Sequence, residues 1–372
     1  MSERRSDIRS CVACGHCTYV CPASHYERNF TARGTAESFL LHGREGIDLW
    51  SCLTCHACIE VCPENVDFPR FMKQARASRE KDEIPVRTHA GILESMRNLQ
   101  ATGKGGPRKY DWLSPGLEIA QDSPVALFVG CLPMLDIIFK DVAPRLLDIP
   151  NAAIFLLNMM GINPRLLPLE RCCGHDAYWL GEMNSFKLLA SHNSKMLREE
   201  GVEEVITVCP ECSHTLGTVY LDVLGEHMPR VRHISQVLAE GLREGKLMAP
   251  GGAERITYQD PCRLGRMSRV FDEPRIVIGS IGSLVDMPRS REMAACCGST
   301  CFMQCDKVVK RWQVDRLTEA RNTGADALAT ACPKCLIHLG CAQKDFGTHK
   351  DRPKIRLEDE TVLLARMLGW KG

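Results

Sequence analysis

Cysteines carry most of the chemistry this chain can do. Cys131, the adjacent pair Cys172-Cys173, and Cys209 with Cys212 form a five-thiol set. Cys262, the pair Cys296-Cys297, and Cys332 with Cys335 repeat it at nearly the same spacing. Each pair is closed by glycine (Gly174, Gly298), and each set ends in Cys-Pro-x-Cys. A pattern written twice marks an internal duplication, so two similar halves are expected. Nearer the start, Cys11, Cys14, Cys17 and Cys21, then Cys52, Cys55, Cys58 and Cys62, make two four-thiol runs, each followed by proline. With 21 cysteines in 372 residues, the choice lies between disulfides and metal. Disulfide scaffolds are typically short and secreted. Met1 to Ser10 is charged and has no apolar core, so no export signal is expected and a reducing cytoplasm is. Clustered thiols in that compartment mean metal ligands.

The two four-thiol runs follow C-x2-C-x2-C-x3-C-P, the spacing of bacterial ferredoxin ligands. There, three close thiolates take three corners of a cubane and the fourth crosses to the other cluster. One 4Fe-4S cubane is therefore expected on Cys11, Cys14, Cys17 and Cys62, and a second on Cys52, Cys55, Cys58 and Cys21. A zinc ribbon fits two such tight runs far less well. Pro22 and Pro63 fix the direction in which the chain leaves each run. His16, Trp50 and His56 stand beside ligands, where they pack and hydrogen-bond around sulfur rather than bind iron.

These ligands need elements to hold them. Ala36 to Arg44 reads as a helix returning the chain for the second run, and Phe68 to Glu83 and Thr88 to Gln100 as amphipathic helices separated by Pro85. Residues 1–100 thus form a helical ferredoxin-like module. Residues 101–123, opening with Ala101-Thr102-Gly103-Lys104-Gly105-Gly106-Pro107, read as a linker. Short β-rich runs then end at cysteines: Val125 to Val129, Val205 to Val208, Ile256 to Gln259 and Ala327 to Ala331. Helical stretches lie between them, at Ala177 to Glu200, His233 to Glu244, Lys307 to Asn322 and Glu358 to Leu368. The expected fold class is an α+β multidomain protein, with two duplicated α/β domains at 124–247 and 248–372 after the helical module. Ligands at strand ends are where open α/β sheets build sites. A formal charge of +1 gives no nucleic-acid footprint. The longest apolar run, Ala152 to Met160, is about half what a spanning helix needs.

A cubane needs four thiolates, yet each half offers five, and adjacent cysteines point their side chains in different directions. Either one cysteine per half is left over, or an unusual cluster uses all five. Here the arrangement resembles the CCG family, the cysteine-rich domains of heterodisulfide reductases, and the N-terminal part resembles their ferredoxin-like subunit. The likeness rests on the cysteines and on Trp50-Ser51-Cys52-Leu53-Thr54-Cys55, Cys62-Pro63-Glu64-Asn65-Val66-Asp67, Asp260-Pro261-Cys262-Arg263-Leu264-Gly265-Arg266 and Asp272-Glu273-Pro274-Arg275. It implies a non-cubane 4Fe-4S cluster in each half, on Cys131, Cys172, Cys173, Cys209 and Cys212 and on Cys262, Cys296, Cys297, Cys332 and Cys335. It also implies that the disulfide of coenzyme M and coenzyme B lies between them and is cleaved by one electron from each. The two cubanes then act as a wire from an outside donor.

The chain departs from the family pattern at Arg263, where relatives commonly carry histidine, and at Ser299-Thr300-Cys301-Phe302-Met303-Gln304-Cys305, where they are glycine-rich. Cys297, Cys301 and Cys305 recur every fourth residue, which on a helix places them on one face. Cys301, Cys305 and Cys341 read as small apolar core residues. His175, His214, Arg263, Arg266 and Lys334 stand near the clusters as candidate donors to an anionic substrate. The leading expectation is an oxidoreductase subunit reducing a mixed thiol disulfide. The alternative is an electron-transfer subunit of a flavin-dependent 2-hydroxyacid or glycerol-3-phosphate dehydrogenase, or of a membrane complex of sulfur metabolism. No source of electrons is visible in the chain, so the expected partner is a membrane b-type cytochrome or a flavin-containing subunit. Docking is expected on the cytoplasmic face.

Overall fold

The structure is a computed structural model that describes residues 6–26, 30–43, 47–79, 88–104, 110–298, 300–302, 304–344 and 353–372. Arg44, Glu83, Pro85, the Gly105-Gly106-Pro107 stretch, Ser299 and Met303 lie outside the described residues.

The N-terminal module is helical. Ala32–His42, Phe68–Ala77 and Ile92–Thr102 are its longer helices, with short turns His16–Val20 and Ala57–Glu60 inside the two cysteine runs. Thr31 caps the first, its hydroxyl accepting from the Gly34 amide, so that helix starts four residues before the expected Ala36. Asp67 caps the second in the same way. Ile8, Phe30, Phe68 and Met72 form the module's core, and Val309 and Trp312 of the C-terminal half pack into it.

Each half that follows is a parallel sheet covered by helices. In the first, β1 (Val125–Phe128), β2 (Glu204–Thr207) and β3 (Arg230–His233) lie in that order, with Val125 opposite Glu204 and Glu204 opposite Arg230. In the second, β4 (Arg255–Gln259), β5 (Ser283–Leu284), β6 (Ala327–Thr330) and β7 (Arg356–Asp359) take the order β5-β4-β6-β7. Dropping the edge strand β5 leaves the same three-strand order in both, and a bridge from Ala126 to Arg165 stands in the first half where β5 stands in the second. Parallel strands are buried on both faces and therefore read as continuous apolar runs, as β1 and β6 do.

Several helix expectations change. Ala177 to Glu200 is two helices, His175–Trp179 and Met183–Glu199, because Gly181 takes a left-handed φ of 77° between them. The stretches from His233 and Glu358 begin instead as β3 and β7, each leading into a helix, Ile234–Arg243 and Glu360–Met367. Residues 110–119, inside the segment that composition marks as linker, lay Tyr110, Trp112, Leu113 and Leu117 on the main core. Asn151 holds them there, accepting from the Ser114 amide at 2.7 Å and donating to the Trp112 carbonyl at 3.0 Å.

The halves share one core, which runs from Leu127 and Ile154 through Ile256 and Leu264 to Leu364. Within it the Ser235 hydroxyl of the first half donates to Oε1 of the Glu360 carboxyl group of the second. Burial pushes the Glu360 carboxyl up to about 8 from its ordinary 4.5, with the Ser235 hydrogen bond opposing. The folded protein therefore keeps this proton between about pH 4.5 and 8, where the unfolded chain has lost it, so stability falls as pH rises across that window. Glu360→Gln is predicted to remove roughly 2–4 kcal/mol of that decline. Urea unfolding at pH 5.5 and pH 8 measures it, and an unchanged pH slope contradicts the assignment.

Candidate functional site

Every cysteine of the chain carries a thiol rather than a disulfide. In the module, Cys17 lies in the field of Cys11, Cys14 and Cys62, while Cys21 lies in that of Cys55 and Cys52. Burial pushes Cys21 up to about 12 and Cys52 up to about 11. Cys11, Cys14, Cys17, Cys58 and Cys62 line a cavity of about 470 Å³ with Val12 and Arg33.

In the first half, Cys131 follows β1, and the loop bearing Cys172 and Cys173 is tied down by hydrogen bonds to its backbone. Asn193 donates to the Cys172 carbonyl at 3.1 Å, Tyr220 donates to the Cys173 carbonyl at 3.0 Å, and Gln100 of the module accepts from the Cys172 amide at 3.0 Å. Cys212 Sγ stands 3.4 Å from Cys173 Sγ. The second half repeats this with Cys335 Sγ 3.2 Å from Cys297 Sγ, and with Gln313 donating to the Cys297 carbonyl at 3.3 Å. Both closing glycines are left-handed, with φ of 85° at Gly174 and 82° at Gly298. A Cβ there would also sit 2.9 Å from the Phe186 ring and 2.6 Å from Trp312 Nε1, so only glycine fits after the pair.

The sets are joined end to end. The Cys55 thiol of the module neighbours Cys296, and Cys296 neighbours Cys262 and Cys297. Cys335 links Cys297 to Cys332, and Cys332 meets Cys209 of the first half. The neighbouring Cys296 and Cys209 thiols bring Cys55 and Cys332 below the ordinary thiol range.

Cys209 and Cys332 occupy equivalent places in the two Cys-Pro-x-Cys copies, and so do Glu211 and Lys334. Lys334 Nζ lies 2.6 Å from Glu211 Oε2 and 2.6 Å from Asp176 Oδ1. Equivalent residues meet in this way where a local twofold axis relates two copies. One ammonium cannot balance two buried carboxylates. Burial raises both, and Lys334 with His175 overrides it at Asp176, which stays ionised; at Glu211 burial wins and lifts the carboxyl to about 8. His175, brought down to about 3 by burial, is neutral; its Nδ1 is 2.8 Å from Asp176 and its Nε2 accepts from Arg263 Nε at 2.9 Å. Arg263 also donates to the Thr54 hydroxyl at 2.8 Å and stacks 4.8 Å from the Trp179 ring. His175, Asp176, Glu211 and Lys334 line a cavity of about 390 Å³ with all five cysteines of the first half.

Of the five candidate donors, the structure brings His175, Arg263 and Lys334 together. His214 ends the helix Pro210–His214 and is not among the residues of this cavity. Arg266 faces the module instead, donating to the carbonyls of Cys55 at 2.7 Å, Glu292 at 3.0 Å and Ala294 at 2.8 Å. A π-helical turn, Arg263–Met267, separates the two arginines. Asp176, Glu211, Thr54 and Trp179 were not singled out by sequence, although Glu211 and Lys334 occupy the same position of a repeated motif. The fourfold spacing of Cys297, Cys301 and Cys305 does not make a helix face, because Cys301 and Phe302 are left-handed at φ of 49° and 53°. Their turn brings Cys301 within 4.8 Å of His175 and Asp176, and the Phe302 ring 4.9 Å from Lys334 Nζ.

The donor set suits iron–sulfur clusters. Arg266 is buried, pairs with no carboxylate among the described residues, and leaves Nη2 without a partner. After burial, the strongest influences on its charge are Cys55, Cys262 and Cys296. A buried guanidinium needs an anion, and these thiols act on it more strongly than Glu60 does.

Family comparison agrees with the architecture. The cysteine-rich domain named CCG matches residues 125–217 and 256–340, and a 4Fe-4S dicluster domain matches residues 4–63. The chain is 26% identical to a dihydromethanophenazine:CoB--CoM heterodisulfide reductase subunit of Methanosarcina barkeri, over 99% of this chain and 80% of that protein. Against the same subunit of Methanosarcina acetivorans it is 29% identical, over 69% of this chain and 62% of that one. An EtfAB:quinone oxidoreductase of Syntrophomonas wolfei is 28% identical, over 69% of this chain and 38% of that protein. The fold is similar to that of a hypothetical protein from Helicobacter pylori, with a TM-score of 0.54 at 10% identity over 85% of this chain and 61% of that one. Among the described residues no helix is long and apolar enough to cross a membrane. With a dicluster module ahead of a duplicated cysteine-rich domain, the chain belongs to the CCG iron–sulfur family and is similar to the heterodisulfide reductase subunits that share this plan.

Proposed function

We propose that this iron–sulfur redox subunit reduces a mixed thiol disulfide of the coenzyme M–coenzyme B type where its two five-cysteine sets meet. The observation that carries this reading is the contact of Cys209 with Cys332 beside the Lys334, Glu211 and Asp176 group. Disulfide cleavage takes two electrons. Clusters held by the two sets would supply one each, together with soft sites for the thiolate products. Cys131, Cys172, Cys173, Cys209 and Cys212 would hold one non-cubane cluster, and Cys262, Cys296, Cys297, Cys332 and Cys335 the other. Cys11, Cys14, Cys17 and Cys62, and Cys52, Cys55, Cys58 and Cys21, would hold the module's two cubanes, whose chemistry would be to carry electrons toward them. The chain's own side chains orient and neutralise. Lys334 is spent on Asp176, whereas Arg263, held by neutral His175 and the Thr54 hydroxyl, leaves its positive charge for an anionic substrate group to meet. The electron source is a partner, a b-type cytochrome or a flavin-containing subunit, and the chain works at the cytoplasmic face.

A second reading is favoured by the likeness to an EtfAB:quinone oxidoreductase. In it the sets only pass electrons onward, as in the iron–sulfur subunits of flavin-dependent dehydrogenases or of membrane sulfur-metabolism complexes.

Anaerobic, iron-loaded chain with reduced viologen is predicted to reduce the coenzyme M–coenzyme B disulfide in preference to other disulfides. Cys209→Ala and Cys332→Ala should each lower that turnover by more than about 100-fold. Fully loaded protein that reduces no disulfide supports the second reading instead. Separately, Arg266→Gln should lower the midpoint potential of the nearest cluster by roughly 50–100 mV, because it removes a buried positive charge, with Arg266→Lys shifting it less. Potentiometric titration followed by electron paramagnetic resonance reads this, and an unshifted potential contradicts the role given to Arg266.

A further inference from the structure

Two cysteines belong to none of the four ligand sets yet stand together. Cys305 is exposed and neighbours the thiol of Cys341, which is half-buried on the helix Pro333–Lys344. Lys310 Nζ lies 3.0 Å from Cys341 Sγ. Lys310 is only 7% exposed and pairs with no carboxylate among the described residues, so its charge acts on the sulfur with little screening. A thiol beside an ammonium is favoured as thiolate, which is the nucleophilic form. A second thiol in contact is what resolves a mixed disulfide. Packing explains neither the exposure of Cys305 nor the direction of Lys310 toward sulfur.

We propose that Cys305 and Cys341 form a redox-active dithiol that exchanges with small-molecule disulfides. The Cys341 thiolate attacks one sulfur of R–S–S–R′, forming a Cys341–S–S–R bond and expelling R′S⁻. The Cys305 thiolate then attacks Cys341 Sγ, forming the Cys305–Cys341 disulfide and expelling RS⁻. The small disulfide is reduced by two electrons, the dithiol is oxidised by two, and the two thiol protons end on RSH and R′SH. An excess of small thiol runs the exchange backward and restores the pair. Closure ties the chain just after Gln304 to the helix that carries Cys335. It fixes the far end of the turn that sets Cys301 and Phe302 against His175, Asp176 and Lys334. The proposal goes beyond the disulfide-reductase reading and stands without it, since no cluster takes part in the exchange.

The test uses the anaerobic, iron-loaded chain with oxidised glutathione as the probe, quenched with an alkylating agent and read by peptide mass spectrometry. The expected product is a Cys305–Cys341 cross-link, formed while iron content and visible absorbance stay constant. Cys305→Ser should instead accumulate glutathione on Cys341, and Lys310→Gln should slow exchange about tenfold, the effect of about one unit in thiol pKa. Absence of the cross-link in protein that keeps its iron overturns the proposal. So does a Cys305→Ser variant that traps no glutathione on Cys341, or a Lys310→Gln variant that exchanges at the original rate.

Discussion

The structure depends on burying positive charge against sulfur. Arg76, Arg263, Arg266 and Lys334 are all buried, and a lone charge in such a place costs several kcal/mol. Lys334 is balanced by carboxylates. Arg76 and Arg266 are not: each spends its donors on backbone carbonyls and finds thiols as its nearest anionic groups. The same arginines fasten the parts together. Arg76 reaches from the module to the Trp179 carbonyl of the first half at 2.9 Å, and Arg266 from the second half to the Cys55 carbonyl at 2.7 Å. The proposed clusters therefore complete the protein's electrostatics as well as its chemistry, and their loss is expected to loosen the joints between the parts.

The order of the thiols gives the fold a direction. From the cavity at Cys11 and Cys14, the contacts run through Cys55 to Cys296, and through Cys332 to Cys209, before ending at Cys131. The module's thiols thus meet the second half at Cys296, while the module's other side chains hold the first half at Trp179 and Cys172. The duplication is used asymmetrically: the module's thiols adjoin those of one copy only, while the ion pair sits where the copies meet.

Much of this was legible because ligand spacing is a strong constraint. The cysteine runs, the duplication and the strands that end at Cys131, Cys209, Cys262 and Cys332 all follow from pattern. The ion pair was legible in principle too, since Glu211 and Lys334 fill the same slot of a repeated motif with opposite charges. Short edge strands were not. β3 reads Arg-Val-Arg-His and β5 has two residues, too little apolar alternation to separate from loop. The turn at Cys301 and Phe302 was hidden for another reason: left-handed backbone at non-glycine residues is held by tertiary contacts, so fourfold spacing pointed to a helix that does not form. Arg266 stands four residues after Cys262, but spacing cannot tell which way a guanidinium turns, and it turns to the Cys55 carbonyl.

The central claim is that the two five-cysteine sets act as one site. Multifrequency electron paramagnetic resonance of the anaerobically reduced, iron-loaded chain tests it most directly. The account predicts a field-independent splitting from magnetic coupling between a centre in each half, lost when Cys262, Cys296 and Cys297 are replaced together. Magnetically isolated centres in fully loaded protein would contradict it.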